Sequence, residues 1–141
     1  MLVLGRSAYD AILDHAREAA PEEACGILAG ERDDGDSRVT EIYRTENVAE
    51  TPEVTYLIDP EEQYDVMSRI EEAGDDVLGF YHSHPAGPSG PSRTDANRAT
   101  WDGYYYVIAS LDGETPVLDG WIWTGDRFVI DGVTVEPAGE E

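Results

Sequence analysis

The apolar and aromatic run Asp76-Val77-Leu78-Gly79-Phe80-Tyr81 ends in His82-Ser83-His84-Pro85, and no other stretch limits the fold so tightly. A run of this length and composition reads as a buried strand. Residues i and i+2 of a strand share a face, so His82 and His84 stand side by side with Cα atoms roughly 6.6 Å apart. Pro85 has no N–H to give to a ladder and stops the strand. After the Gly/Pro/Ser-rich loop Ala86 to Pro91, Ser92-Arg93-Thr94-Asp95 reads as a helix start with Asp95 in its first turn. Two neutral imidazoles and a carboxylate suit Zn²⁺, and three protein ligands leave a fourth position for water, as in a catalytic site. His82, His84 and Asp95 are therefore the candidate metal ligands. Singly, each has an ordinary reading as a packed histidine or a helix cap. Together they account for two of only three histidines in the chain.

A chain of 141 residues suits one domain with its own core, expected over residues 1–136, followed by a short frayed tail at 137–141. The single cysteine, Cys25, excludes an internal disulfide and points to a reducing compartment. Met1 to Arg6 lacks a long apolar core, and nothing approaches the ~20 apolar residues of a membrane span. A cytoplasmic location with no membrane contact is expected. The 31 acidic residues face 9 basic ones, all arginine, for a net charge of −22. Self-repulsion of that size opposes compaction in dilute buffer and opposes binding to nucleic acid. The acids are spread from Asp10 to Glu141 without a block, which fits a surface adapted to concentrated salt better than one that steers a basic partner.

In chain order, Leu2 to Leu4 is a short strand, and Ser7 caps a helix through Ala20 with an apolar stripe of Ala8, Ile12, Ala16 and Ala19. His15, at the stripe's edge, is read as structural or surface. Glu22 to Gly30 is a strand with an acidic start, and pairing from Glu23 puts Glu23 and Cys25 on one face. Arg38 to Thr45 and Val54 to Ile58 follow as strands, then a helix from Pro60 to Glu72 with Tyr64, Met67 and Ile70 apolar. Tyr104 to Leu111, Val117 to Trp123 and Arg127 to Val135 read as three final strands. The fold class is α/β, a mixed sheet with helices against its faces. The first strand or the tyrosine run at 104–106 could accept a partner strand, although strand tyrosines are usually half-buried packing residues.

His82-Ser83-His84-Pro85 and, six residues on, Ser92-Arg93-Thr94-Asp95 resemble the signature of the JAMM (MPN+) metalloprotease family, and Pro21-Glu22-Glu23-Ala24-Cys25-Gly26 resembles its glutamate segment. The likeness continues through Asn47-Val48-Ala49, Ile58-Asp59-Pro60 and the C-terminal strands. It implies a cytidine-deaminase-like α/β fold, a zinc ion, and cleavage of isopeptide or peptide bonds after the tails of ubiquitin-like modifiers. The chain lacks the insertions with which larger relatives grip polyubiquitin.

Such chemistry needs a base within reach of a zinc-activated water, one that later protonates the leaving amine. Glu22 and Glu23 compete, and the family pattern, with its glutamate directly before Ala-Cys-Gly, selects Glu23. Ser92 is the candidate donor to the developing oxyanion, though its role as helix cap competes for the same hydroxyl. Cys25 reads as a small buried residue rather than a nucleophile. The zinc-deaminase pattern and the phosphate-binding loop are both missing. The remaining alternative is a non-catalytic scaffold, or a module that binds ubiquitin-like proteins, built on the same fold; the complete ligand set argues against it.

Overall fold

A computed structural model describes residues 1–33, 35–87 and 89–136, with residues 97 and 98 described by their backbone alone. The elements are β1 (Leu2–Leu4), α1 (Arg6–Ala19), β2 (Cys25–Glu31), β3 (Ser37–Thr45), α2 (Pro60–Glu72), β4 (Asp76–His84), α3 (Arg93–Arg98), β5 (Tyr105–Ser110), β6 (Val117–Trp123), β7 (Phe128–Ile130) and β8 (Val133–Val135). The strands form one mixed sheet in the order β7-β6-β5-β4-β2-β3-β1-β8. β4 is parallel to β5, β1 is parallel to both β3 and β8, and the other neighbours are antiparallel.

Each face of the sheet buries its own helix. On one side Ala8, Ile12, Leu13 and Ala16 of α1 pack on Leu2, Leu4, Leu28, Val39, Leu78, Tyr81 and Val107. On the other, Val66 and Ile70 of α2 pack on Ile27, Ala29, Val77, Phe80 and Tyr106. Burial of a side chain such as Ile12 or Ile70, both wholly enclosed, stabilises the fold by ~1.5–3 kcal/mol. The sheet curls round α1: the N–H groups of Asp131 and Gly132 both donate to the Gly120 carbonyl in the middle of β6, at 3.0 and 3.2 Å.

The elements depart from the sequence reading in ways with physical causes. α1 begins at Arg6 behind Gly5, with no side-chain cap, so Ser7 lies inside the helix rather than at its cap. Its buried stripe takes in Leu13, while Ala19 is only half-buried. In α2 the Asp59 cap and Pro60 start stand as expected, but Tyr64 points outward at 72% exposure and Val66 is the buried residue. Val54 to Ile58 is no strand; it makes one bridge, Asn47 to Ile58, because the Asn47 side chain bonds the backbone there in place of a ladder. Arg127 to Val135 breaks at Gly132 (φ 79°) into β7 and β8, which join opposite ends of the sheet. β1 and β5 are both interior strands, so neither offers an edge to a partner. The tail at 137–141 lies outside the described residues.

β4 carries the feature that sets the site. Leu28 pairs with Gly79 and Ala29 with Val77, so Leu78 is an extra residue in β4. Such a bulge reverses the alternation, putting Leu78 in the α1 core while Val77 and Phe80 share the α2 core. From Phe80 onward, His82 and His84 follow on the α2 face. Gly79 is required at this turn of the backbone, since a Cβ there would lie 1.9 Å from the Tyr105 carbonyl oxygen of β5.

Candidate metal centre

His82 and His84 occupy the last turnout of β4, both buried. Asp95 reaches them from the first turn of α3, where Ser92 is the N-cap: the Ser92 hydroxyl accepts from the Asp95 N–H at 3.0 Å, and the Asp95 carboxylate accepts from the Ser92 N–H at 2.8 Å. This reciprocal box fixes Asp95 as firmly as it fixes the helix. The Ser92 oxygen is occupied as an acceptor, which leaves its proton free for donation.

The three donors converge. Asp95 Oδ2 lies 3.2 Å from His82 Nε2 and 3.1 Å from His84 Nε2, and the two nitrogens are 3.2 Å apart. Hydrogen bonds from the rings to the carboxylate explain two edges of that triangle, but not the nitrogen–nitrogen edge. A shared cation explains all three, and tetrahedral ligands at ~2.0–2.1 Å from an ion are separated by about 3.3 Å. Glu23 brings a carboxylate into the same cluster, every donor within 4.8 Å of every other, and all four residues are buried. Its Oε1 is buried with no hydrogen-bond partner among the described residues. The residues present therefore fit a metal ion.

Burial pushes the Glu23 carboxyl up to about 7; the His84 ring pulls the other way and the Asp95 charge adds to the rise. For Asp95 burial also opposes the charge, but hydrogen bonds from His82, His84 and the Ser92 backbone prevail and hold its carboxyl well below the usual carboxylate range. Burial lowers His82, against the pull of Asp95, and keeps the ring neutral as a ligand must be. One carboxyl is thus poised to exchange a proton near neutrality while its neighbour stays ionised.

Glu22 is exposed and Glu23 is buried. Strand alternation is not the cause, because β2 starts only at Cys25. The Glu23 N–H donates to the Pro52 carbonyl at 2.7 Å, and its own carbonyl accepts from Asn47 Nδ2 at 2.9 Å, which turns the side chain inward. Cys25, opposite His82 in the β2–β4 ladder, is fully buried beside Thr45, whose hydroxyl is 3.4 Å from its sulfur. Burial pushes its thiol up to about 11. His15 is remote from the cluster, its Nδ1 2.7 Å from the Tyr81 hydroxyl on the α1 side.

Two further residues contribute to the site, and of these Tyr56 escapes sequence reasoning. Tyr56 stacks on His82, ring centroids 4.4 Å apart and planes at 23°, and it also walls a cavity of about 300 Å³ with Ile58, Gln63, Phe80, Trp101 and Tyr106. No periodicity marks it. Asn47 binds the Glu23, Pro52 and Thr55 carbonyls and accepts from Ala49 and Leu57 N–H. Asn47 opens the Asn47-Val48-Ala49 segment of the family likeness, and the turn-forming habit of Asn two residues before Ala49 fits that work.

Comparison with known proteins follows this geometry. The chain is 49% identical over 140 residues to the desampylase of Haloferax volcanii, covering 96% of each. It is 34% identical over 138 residues to the CysO-cysteine peptidase of Mycobacterium bovis, covering 97% of this chain and 89% of the relative. A solution structure from Desulfitobacterium hafniense superposes with a TM-score of 0.89 at 33% identity, covering 99% and 96% of the two chains. Residues 5–123, which carry Glu23, both histidines and Asp95, match the model of the prokaryotic homologs of the JAB domain, and the chain belongs to that family.

Proposed function

We propose that this chain is a cytoplasmic zinc isopeptidase that releases ubiquitin-like modifiers from lysine-linked conjugates. The observation that carries the reading is the buried triangle of His82, His84 and Asp95 with the unpartnered carboxyl oxygen of Glu23 beside it. Its similarity to a desampylase and to a CysO-cysteine peptidase supports the substrate class. No helix among the described residues is long and apolar enough to cross a membrane.

His82, His84 and Asp95 would hold the zinc. When bound, the ion lowers the pKa of water towards ~7 and polarises a carbonyl. Glu23 takes a proton from the attacking water as the C–O bond forms, then delivers it to the departing lysine amine as the C–N bond breaks. Ser92 donates its hydroxyl proton to the carbonyl oxygen as charge develops there, while its oxygen still caps α3.

The test is Glu23→Gln beside Glu22→Gln. Glutamine preserves shape but accepts no proton, so Glu23→Gln should keep zinc and fold and lose ~10²–10⁴ in single-turnover cleavage of a modifier conjugate. The exposed Glu22→Gln should cleave at the wild-type rate. A fully active Glu23→Gln would overturn the assignment.

A further inference from the structure

A histidine that ligates a metal through Nε2 ordinarily donates its other ring N–H to a carboxylate or carbonyl, and that bond fixes the plane of the ring. Among the described residues, His82 makes no such bond. Its Nδ1 is buried without a hydrogen-bond partner among the described residues, and the residue is only 1% exposed. Asp95 engages the Nε2 edge of the ring at 3.2 Å, and on the Nδ1 side only packing opposes rotation about the Cβ–Cγ bond. One face of the ring is covered by Tyr56 at 4.4 Å, nearly parallel, and the His84 ring meets it edge-on at 4.9 Å. Turning the imidazole out of its plane would drive it into Tyr56.

Tyr56 is itself pinned. The Asn47 side chain bonds the residue on each side of it, donating to the Thr55 carbonyl at 3.0 Å and accepting from the Leu57 N–H at 3.1 Å. The same amide holds the Glu23 carbonyl. The base and the support of one metal ligand thus hang from a single side chain.

We propose that Tyr56 is a positioning residue for His82, its ring doing by stacking what a hydrogen bond to Nδ1 does elsewhere. The role belongs to the aromatic face, not the hydroxyl, and it rests on the reading of His82 as a metal ligand. Tyr56→Phe should bind zinc within about twofold of wild type, whereas Tyr56→Leu should bind ~10–100-fold more weakly, the usual cost of losing a ligand's support.

The measurement is zinc affinity by competition with a chromogenic chelator, together with the melting temperature of each protein stripped and zinc-loaded. If Tyr56→Leu lowers the stripped melting temperature by loss of packing, the zinc-induced increment still reports the metal site. It should shrink in Tyr56→Leu and persist in Tyr56→Phe. Zinc affinity and increment unchanged in Tyr56→Leu would overturn the proposal, as would Tyr56→Phe falling as far as Tyr56→Leu. Wild-type protein that binds no zinc would instead overturn the metal reading beneath it.

Discussion

Cys25 and Glu23 are two residues apart and both buried, yet burial gives them different chemistry. It moves the carboxyl to about 7, into the working range of a base, and the thiol to about 11, out of the range of a nucleophile. Chelation should therefore stop turnover, while Cys25→Ser keeps it within about threefold and costs on the order of 1 kcal/mol of stability, Thr45 and the Glu46 carbonyl being at hand for the new hydroxyl. Turnover that survives chelation but dies in Cys25→Ser would make this a cysteine enzyme. His15 offers a test away from the metal. Burial first, then the Arg44 charge, lowers it from 6.5 to about 4, with Glu18 opposing. The unfolded chain then binds the extra proton between about 4 and 6.5, so this contribution is complete above 6.5 and is lost as pH falls towards 4. Allowing for the ring's partial exposure, it is on the order of 1–2 kcal/mol. Urea titrations in molar KCl at pH ~4.5 and ~7 should show a smaller pH difference for His15→Gln than for wild type; equal differences would refute the account. His82 and His84 were legible as candidate ligands because a two-residue spacing survives any strand register. Tyr56 was not, because a lone aromatic in a loop has no pattern to betray its partner.

The elements show the same division. α2 was readable from Asp59-Pro60, and α3 from Ser92 and Asp95, because capping chemistry is local. The bulge in β4 was not readable, since Val77, Leu78, Phe80 and Tyr81 are buried on both faces and alternation is silent where both faces are apolar. It nonetheless decides which way the histidines point. Gly79→Ala should be severe: the added methyl meets backbone of β5, which cannot swing aside like a side chain. A loss of ~3 kcal/mol or more is expected in urea unfolding, with zinc retention falling as β4 shifts. A variant within ~0.5 kcal/mol of wild type would show that β4 and β5 separate more easily than this packing implies.

The whole molecule carries net −22, and its arginine ion pairs, such as Arg44–Glu18 and Arg38–Glu136, lie at the surface among the described residues. Surface pairs contribute little, so repulsion among the acids is relieved chiefly by screening. The melting temperature should rise from ~0.1 M to ~2 M KCl as the Debye length falls from about 10 Å to below about 3 Å; a flat or falling curve would refute salt adaptation. A chain without lysine also offers no ε-amine, so no lysine-linked conjugate can form on it. The pairing of β1 with β8 has a consequence in time as well as in space. A ribosome makes Leu2–Leu4 first and Val133–Val135 last. Until the latter emerge, β1 has β3 alone for a neighbour and is the bare edge of a growing sheet. His82, His84 and Asp95 have all been synthesised before that edge can be covered. The first strand synthesised is thus the last to be enclosed, and a chain stalled short of residue 133 leaves it open to strand exchange.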